Sequence, residues 1–191
     1  YSTHLWWHLA QFHLDIGDVD AALSILDWRI RARPGSDAAT LVDASSLLWR
    51  LQLLGVDAPG RWQTVADAWT SQALAGLRPF NDTHAMLAFV AARRPGSAAA
   101  LMKQLRECAA RSRDLAEAVY QAALPVCEAI IRFGRGDYRG AGDRLLKHRR
   151  LMTRCGGSRA QCDLLHLTLL ESALRSGQAD LSMQLSRERV G

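Results

Sequence analysis

Five glycines recur along the chain at nearly constant intervals. Gly17, Gly55, Gly96, Gly136 and Gly177 are separated by 38, 41, 40 and 41 residues. Each glycine follows one helix-like apolar segment and precedes another. Because glycine readily adopts the left-handed conformation that ends a helix, the spacing predicts a turn inside a repeated helical hairpin. A period of about 40 residues is typical of stacked repeat proteins.

The residues between the glycines favour helices over strands. Alanine, leucine and arginine dominate, and there is little alternation of valine or isoleucine with polar residues. We therefore expect an all-α fold, a right-handed superhelical stack of about five antiparallel hairpins in one domain. The hairpins are predicted over residues 3–34, 37–78, 81–113, 114–155 and 158–190.

Several residues predict where these helices begin or bend. Asn81 or Asp82 is expected to cap the third hairpin, because both side chains accept hydrogen bonds from free helical amides. Ser158 is expected to cap the fifth, with Gln161 at the capping-box position. Pro125 lies inside a long helical pattern and predicts a kink or a break there.

The tryptophans divide into a predicted core set and one ambiguous residue. Trp6 falls at a large packing position of the first helix, so burial is expected. Trp7 lies about 100° further round the helix and is either exposed on a concave surface or buried against a preceding repeat. Helical spacing predicts burial for the others, Trp28, Trp49, Trp62 and Trp69.

Composition excludes several classes of protein. Hydrophobic residues make up 49% and charged residues 23%, as in soluble globular proteins, and no apolar run is long enough to span a bilayer. The cysteines form no C-x-x-C pair, so reduced thiols and a cytoplasmic location are expected. Residues 1–80 carry a net charge of −2 and residues 81–191 a net charge of +7. No nucleic-acid motif accompanies the basic stretch at 144–154, so we expect a solvated face and neither a nucleic-acid nor a membrane partner.

The first hairpin carries a recognisable pattern of small and large residues. Its positions are Trp6, Leu9, Ala10, Gly17-Asp18, Ala22, Leu26 and Pro34, and the chain around them resembles the tetratricopeptide repeat. A closer resemblance, to the tetratricopeptide repeat protein 38 family, spans nearly the whole chain in the same order. It rests on His4 to His8, Val42-Asp43, Leu51 to Val56 with Arg61-Trp62, Phe80 to His84, and Gly156-Gly157-Ser158 with Gln161 and Asp163. The resemblance implies that this region is the C-terminal portion of a longer protein, which agrees with the helical pattern beginning almost at Tyr1. It implies no activity.

Two histidines share one face of the first helix. His4 and His8 are four residues apart, a spacing that suits two imidazoles on one metal ion. Leu5 stands where the glutamate of a catalytic H-E-x-x-H motif would be, so that zinc signature is not present. Asp43 or His84 could complete a metal site if the repeats bring them together. Alternatively, the two histidines bridge neighbouring helices or line a groove without metal.

Four further polar residues are unexplained by helix formation alone. Asp43 lies in the middle of a helix, where aspartate is unfavourable, so a buried partner such as Arg50 or a histidine is expected. Capping explains only one residue of Asn81-Asp82, and it does not require His84. Asp163 follows the predicted capping box and has no evident local partner.

Two functions fit this pattern. The first is an interaction module that binds a peptide or protein partner in a concave groove, with Trp7, Gln11 and Arg93-Arg94 as groove residues. A concave face filled by the chain's own side chains would count against it. The second is an enzyme or a protein that binds a small molecule or metal. It would use the surplus polar residues, which are His4, His8, Asp43, Asn81, Asp82, His84, Gln161 and Asp163.

No cofactor is predicted, because the chain contains no nucleophile, phosphate-binding or dinucleotide-binding motif. The apolar flank of the first hairpin is expected to pack on a preceding segment or on a second copy, as in a homodimer.

Overall fold

Segments rich in alanine, leucine and arginine form helices throughout the part of the chain that the structure describes. This computed structural model describes residues 2–72, 78–111, 115–152 and 158–190, and no strand occurs in those ranges. The all-α prediction is therefore confirmed. The helices are α1 (Ser2–Asp15), α2 (Val19–Ile25) with a π-helical turn (Leu26–Ile30), α3 (Ala38–Leu53), α4 (Pro59–Ser71), α5 (Pro79–Ala91), α6 (Pro95–Arg111), α7 (Leu115–Gly134), α8 (Tyr138–Lys147), α9 (Arg149–Met152), α10 (Arg159–Arg175) and α11 (Ala179–Val190).

Side-chain caps begin several of these helices. The Asp18 carboxylate accepts a hydrogen bond from the backbone N–H of Ala21 at 3.1 Å, at the start of α2. The predicted capping box at α10 is confirmed, because Ser158 accepts from the Gln161 N–H while the Gln161 side chain accepts from the Ser158 N–H. Such caps satisfy backbone donors that a helix start leaves without partners. Local sequence therefore determines these helix starts.

The turn glycines behave as expected in four of the five positions. Gly17, Gly55, Gly136 and Gly177 all have positive φ. Gly96 is the exception, because it lies inside α6. Arg93 takes the left-handed conformation instead, with a φ of 55°. The reason is that Pro95 is preorganised for the first helical position and starts α6 before the glycine. The expected break at Gly156-Gly157 lies outside the described residues.

The structure corrects the predicted cap of the third hairpin and one part of the prediction for Pro125. α7 continues through Pro125 and is not broken there, because its packing against α5, α6 and α8 outweighs one lost backbone hydrogen bond. The alternative, a kink at Pro125, stays a prediction. The third hairpin does not begin with a cap at Asn81 or Asp82. Pro79 occupies the first position of α5 and Arg78 precedes it, so Asp82 lies within the helix and is buried.

Consecutive helices pack against each other in pairs. α1 contacts α2, α3 contacts α4, α5 contacts α6, α7 contacts α8, and α10 contacts α11. The first helices of successive pairs also contact one another, from α1 to α3, α3 to α5 and α5 to α7. A further contact joins α10 to α3, helices that are more than 100 residues apart in sequence. α10 therefore covers a face of α3 that neighbouring pairs leave open.

The centre of the molecule is formed by α3 and α5. Every residue from 40 to 51 in α3 and from 82 to 89 in α5 is buried. Trp49 joins three neighbours of α3: its Nε1–H donates to the Thr168 hydroxyl of α10 at 3.0 Å, and its ring lies 5.5 Å from Phe133 and 6.3 Å from Trp62. A helix buried on all sides requires neighbours on all sides, and α10 supplies one of them.

Tryptophan burial corrects two predictions and resolves a third. Trp49, Trp62 and Trp69 are buried as expected, and Trp7, for which two alternatives were open, is buried as well. Trp6 is only half-buried, so its predicted burial is not confirmed. Trp28 is 73% exposed, so its predicted burial is wrong. Leu26 and Ile30 share the buried face of this π-helical turn, and Trp28, two residues from each, lies on the opposite side and faces solvent.

The outer flank of α1 is apolar and exposed. Its residues recur at helical spacing and are Leu5, Leu9, Phe12 and Ile16. The expectation that a preceding segment or a second copy covers this flank stays a prediction. In the described ranges, no helix combines the length and hydropathy needed to cross a membrane.

Candidate functional site

A polar cluster lies where the start of α1 meets α3. The Nδ1 of His4 lies 3.0 Å from one carboxylate oxygen of Asp43 and 3.2 Å from the other. The His4 ring stacks on Trp7 with centroids 5.1 Å apart, and the His8 ring lies 4.7 Å from His4. Four of the predicted site residues therefore meet here. The buried partner expected for Asp43 is a histidine, not Arg50.

The cluster places a buried carboxylate under a partly exposed imidazole. The Asp43 side chain is 3% exposed and that of His4 is 40% exposed. Burial raises the pKa of Asp43, and the hydrogen bond from His4 opposes that rise. The carboxylate orients the His4 ring and leaves the opposite ring nitrogen directed away from it. An oriented imidazole at a surface can exchange protons with a bound molecule.

Two buried polar residues of α5 have incomplete hydrogen bonding. The Nδ1 of His84 bonds to the Phe80 carbonyl oxygen at 2.8 Å, whereas its Nε2 has no described partner. One oxygen of Asp82 likewise has no described partner. Burial lowers the pKa of His84 to about 4 and raises the pKa of Asp82 to about 6. Both side chains are therefore held in environments that disfavour their charged forms.

A cleft of about 620 Å³ opens between α1, the end of α3, α10 and α11. Two predicted site residues line it, Gln11 from α1 and Asp163 from α10, and Arg50 of α3 lies between them. Its volume falls in the range of sites for small molecules and short peptide segments. The apolar part of the lining consists of Leu14, Leu53, Leu54, Leu167 and Leu170.

Arg50 is the buried cation of this cleft. Its residue surface is 6% exposed, and its guanidinium donates to the Ser46 hydroxyl at 2.8 Å and to the Ala160 carbonyl at 2.7 Å. Both acceptors are neutral, and no carboxylate among the described residues forms an ion pair with it. Burial lowers the pKa of Arg50 to about 10, so the group stays charged at neutral pH.

The carboxylates around the cleft are mostly engaged by other arginines. Asp163 accepts from both terminal nitrogens of Arg189, which answers the expectation that it lacks a local partner. Glu171 accepts from Arg175 at 2.6 Å. Asp15 lies at the exposed rim.

The remaining predicted site residues lie elsewhere. Gln161 acts in the capping box of α10, and Asn81 is half-buried on α5. Arg94 pairs with Asp67 at 2.6 Å on the surface. Within the described ranges no group of three or more His, Cys, Asp or Glu side chains is arranged to hold a metal ion.

Sequence reasoning placed Arg50 only as a partner for Asp43 and missed its role in the cleft. One signal was present, because Arg50 interrupts the apolar run Leu47-Leu48-Trp49 and Leu51. An arginine inside such a run is buried with the helix and must find acceptors there. The leucine wall of the cleft had no comparable signal, since its members come from α1, α3 and α10.

No protein-family model matches the chain, and no solved structure matches it significantly.

Proposed function

We propose that this chain is a binding module built on tetratricopeptide-like helical hairpins, whose ligand occupies the cleft between α1, α3, α10 and α11. The pairwise packing of consecutive helices and the resemblance of the first hairpin support the repeat assignment. The ligand is a short segment of a protein or peptide partner, or a small molecule of similar size, because the cleft encloses about 620 Å³.

One observation carries this proposal: Arg50 is buried beside the cleft without an ion-pair partner among the described residues. Burying a charge is costly even when it is hydrogen-bonded, and the two hydrogen bonds of Arg50 go to neutral oxygens that do not counter its charge. A protein that only needed a packed core would be more stable with an apolar residue at this position. A ligand that supplies the missing counter-charge gives the arginine a role.

The packing of α10 on α3 also bears on the kind of site. An open concave groove would run along the faces of α1, α3, α5 and α7, but α3 and α5 are buried over most of their length. The cleft at the end of α3 is the part of that face that remains accessible. We therefore place binding at this end of the molecule.

Peptide display tests the proposal. A random peptide library would be panned against the wild type and against Leu167→Trp, which fills the cleft from α10. The control is Ala100→Trp, which introduces the same side chain at an exposed position of α6. We expect selected peptides to bind the wild type and the control equally and to lose binding to Leu167→Trp. Selected peptides that bind Leu167→Trp as tightly as the wild type would contradict the proposal.

A second candidate function is supported by the pair His4 and Asp43. A carboxylate that orients a partly exposed imidazole is an arrangement used for general-base catalysis. Hydrolysis of nitrophenyl esters by the wild type would be compared with hydrolysis by His4→Gln and by Asp43→Asn. A loss of rate in both variants supports catalysis at this cluster, and equal rates in all three proteins reject it.

A further inference from the structure

The cleft presents hydrogen-bond donors at one end and an apolar wall along its sides. We infer that its ligand is an amphipathic monocarboxylate, whose carboxylate lies against Arg50 and Gln11 and whose aliphatic portion lies against the leucines of α1, α3 and α10. This inference rests on the proposed function and names the ligand class of that same site.

The donor end has more hydrogen-bonding capacity than the protein uses. A guanidinium has five N–H groups, and the two described bonds of Arg50 go to the neutral oxygens of Ser46 and Ala160. The Gln11 side chain lines the same cleft, and its amide nitrogen is buried without an acceptor among the described residues. A buried donor without an acceptor is unfavourable. A carboxylate has two acceptor oxygens and matches the planar fork of an arginine.

The neighbouring charges favour an anion with a single charge. Asp163 and Asp15 interact electrostatically with Arg50, while Arg189 repels it. Asp163 is already held by Arg189, and Glu171 by Arg175. A doubly charged phosphate would meet three carboxylates of the lining, Asp15, Asp163 and Glu171. A monocarboxylate brings one negative charge to Arg50, whose hydrogen bonds among the described residues go to neutral oxygens.

The remaining lining favours an aliphatic body. Leu14, Leu53, Leu54, Leu167 and Leu170 contribute to the wall, and no aromatic side chain lines the cleft among the described residues. Burial of a ligand's methylene groups against these leucines removes apolar surface from water and so favours binding. Two sources share this chemistry: a free aliphatic acid, and the C-terminal carboxylate of a peptide that ends in aliphatic residues.

The experiment compares acids with their neutral amides. Octanoate and octanamide would be titrated into the folded chain by calorimetry, followed by acetyl-Ala-Leu-Leu with a free or an amidated C-terminus. We expect each acid to bind at least about ten-fold more tightly than its amide, because hydrogen bonds to charged groups are worth more than neutral ones. If octanoate binds more tightly than octanamide but the two peptides bind equally, the ligand is a free acid. If the acid binds more tightly in both pairs, the cleft recognises the carboxylate that both sources share.

Variants connect this preference to named side chains. Arg50→Met removes the charge with little change in length, and it should abolish the preference of octanoate over octanamide, whereas Arg50→Lys should keep part of it. Asp15→Asn removes a like charge at the rim and should tighten octanoate binding. If Arg50→Met does not fold, Gln11→Glu provides the test, because a carboxylate at position 11 should weaken octanoate and leave octanamide unchanged. Ala100→Trp is the control.

Two results overturn the inference. Acids and amides could bind equally, or neither acid could bind at millimolar concentration while peptides selected by display still require an open cleft. In both cases the cleft binds a ligand of another class and the proposed function stands. By contrast, selected peptides that bind Leu167→Trp as well as the wild type reject the proposed function itself.

Discussion

Replacing Asp82 with asparagine should change how the stability of the protein depends on pH. Asp82 is 3% exposed, one of its oxygens has no described hydrogen-bond partner, and burial raises its pKa from 3.8 to about 6. The folded state therefore holds this proton more strongly than the unfolded state. Stability from this group is greatest below pH 3.8 and is lost as the pH rises through 6.

The difference between the two pKa values corresponds to about 3 kcal/mol when complete, and to about 2 to 3 kcal/mol between pH 4 and pH 7. Asparagine at position 82 does not ionise, so this loss should be absent from Asp82→Asn. The free energy of unfolding of Asp82→Asn, relative to that of the wild type, should rise by that amount as the pH rises from 4 to 7. If the asparagine amide destabilises the fold by an amount independent of pH, it lowers the free energy of unfolding equally at pH 4 and pH 7 and leaves this difference unchanged.

Urea unfolding followed by tryptophan fluorescence at several pH values between 4 and 8 measures the difference. Asp57→Asn, at an exposed position, makes the same change in net charge and serves as the control. The reasoning is refuted if the free energies of unfolding of wild type and Asp82→Asn run parallel over this range. It is also refuted if Asp57→Asn reproduces the effect.

Three further substitutions test separate features of the packing. The pKa of His84 is about 4 in the folded protein and 6.5 for an exposed histidine. The free energy of unfolding of the wild type should therefore fall by about 3 kcal/mol between pH 7 and pH 4 through this group. Acid unfolding curves of His84→Gln should lack that fall. Thr168→Val leaves the Nε1–H of Trp49 without an acceptor and should cost about 1 to 3 kcal/mol in urea unfolding, more than Thr168→Ser, which keeps the hydroxyl. A Cβ at Gly134 would overlap the Cγ1 of Val90, so Gly134→Ala should lower the melting temperature. The double variant with Val90→Ala should recover part of that loss. Additive effects of the two substitutions would contradict this contact between α5 and α7.

Features that depend on a few neighbouring residues were predictable. The capping box of Ser158 and Gln161 is a local arrangement that any helix start can form, so the sequence was enough to identify it. The positive φ of Gly17 and its counterparts follows in the same way from the turn between two helices. Asp82 shows the limit of this reasoning, because Pro79 competes for the same helix start and determines it.

The candidate site was predictable only in part. The four-residue spacing of His4 and His8 and the mid-helix position of Asp43 pointed to these three residues, and the fold places them together. The sequence did not indicate that Gln11, Arg50 and Asp163 line one cleft, because they lie on three helices whose relative position depends on long-range packing. Trp28 was misjudged although Leu26 and Ile30 are four residues apart and share one face of the helix, which places the residue between them on the other face.

By itself, the sequence determined the helical class of this protein, the turn at most of the recurring glycines and the caps that begin individual helices, because backbone conformation and short-range hydrogen bonds decide these features. Only the tertiary structure decided that α10 packs on α3 and leaves a cleft at its end, since that contact joins residues more than 100 positions apart. The periodic glycines predict which helices form pairs. The packing of the helix pairs against one another decides which side chains meet between them. It also decides that the buried charge of Arg50 has no ion-pair partner among the described residues.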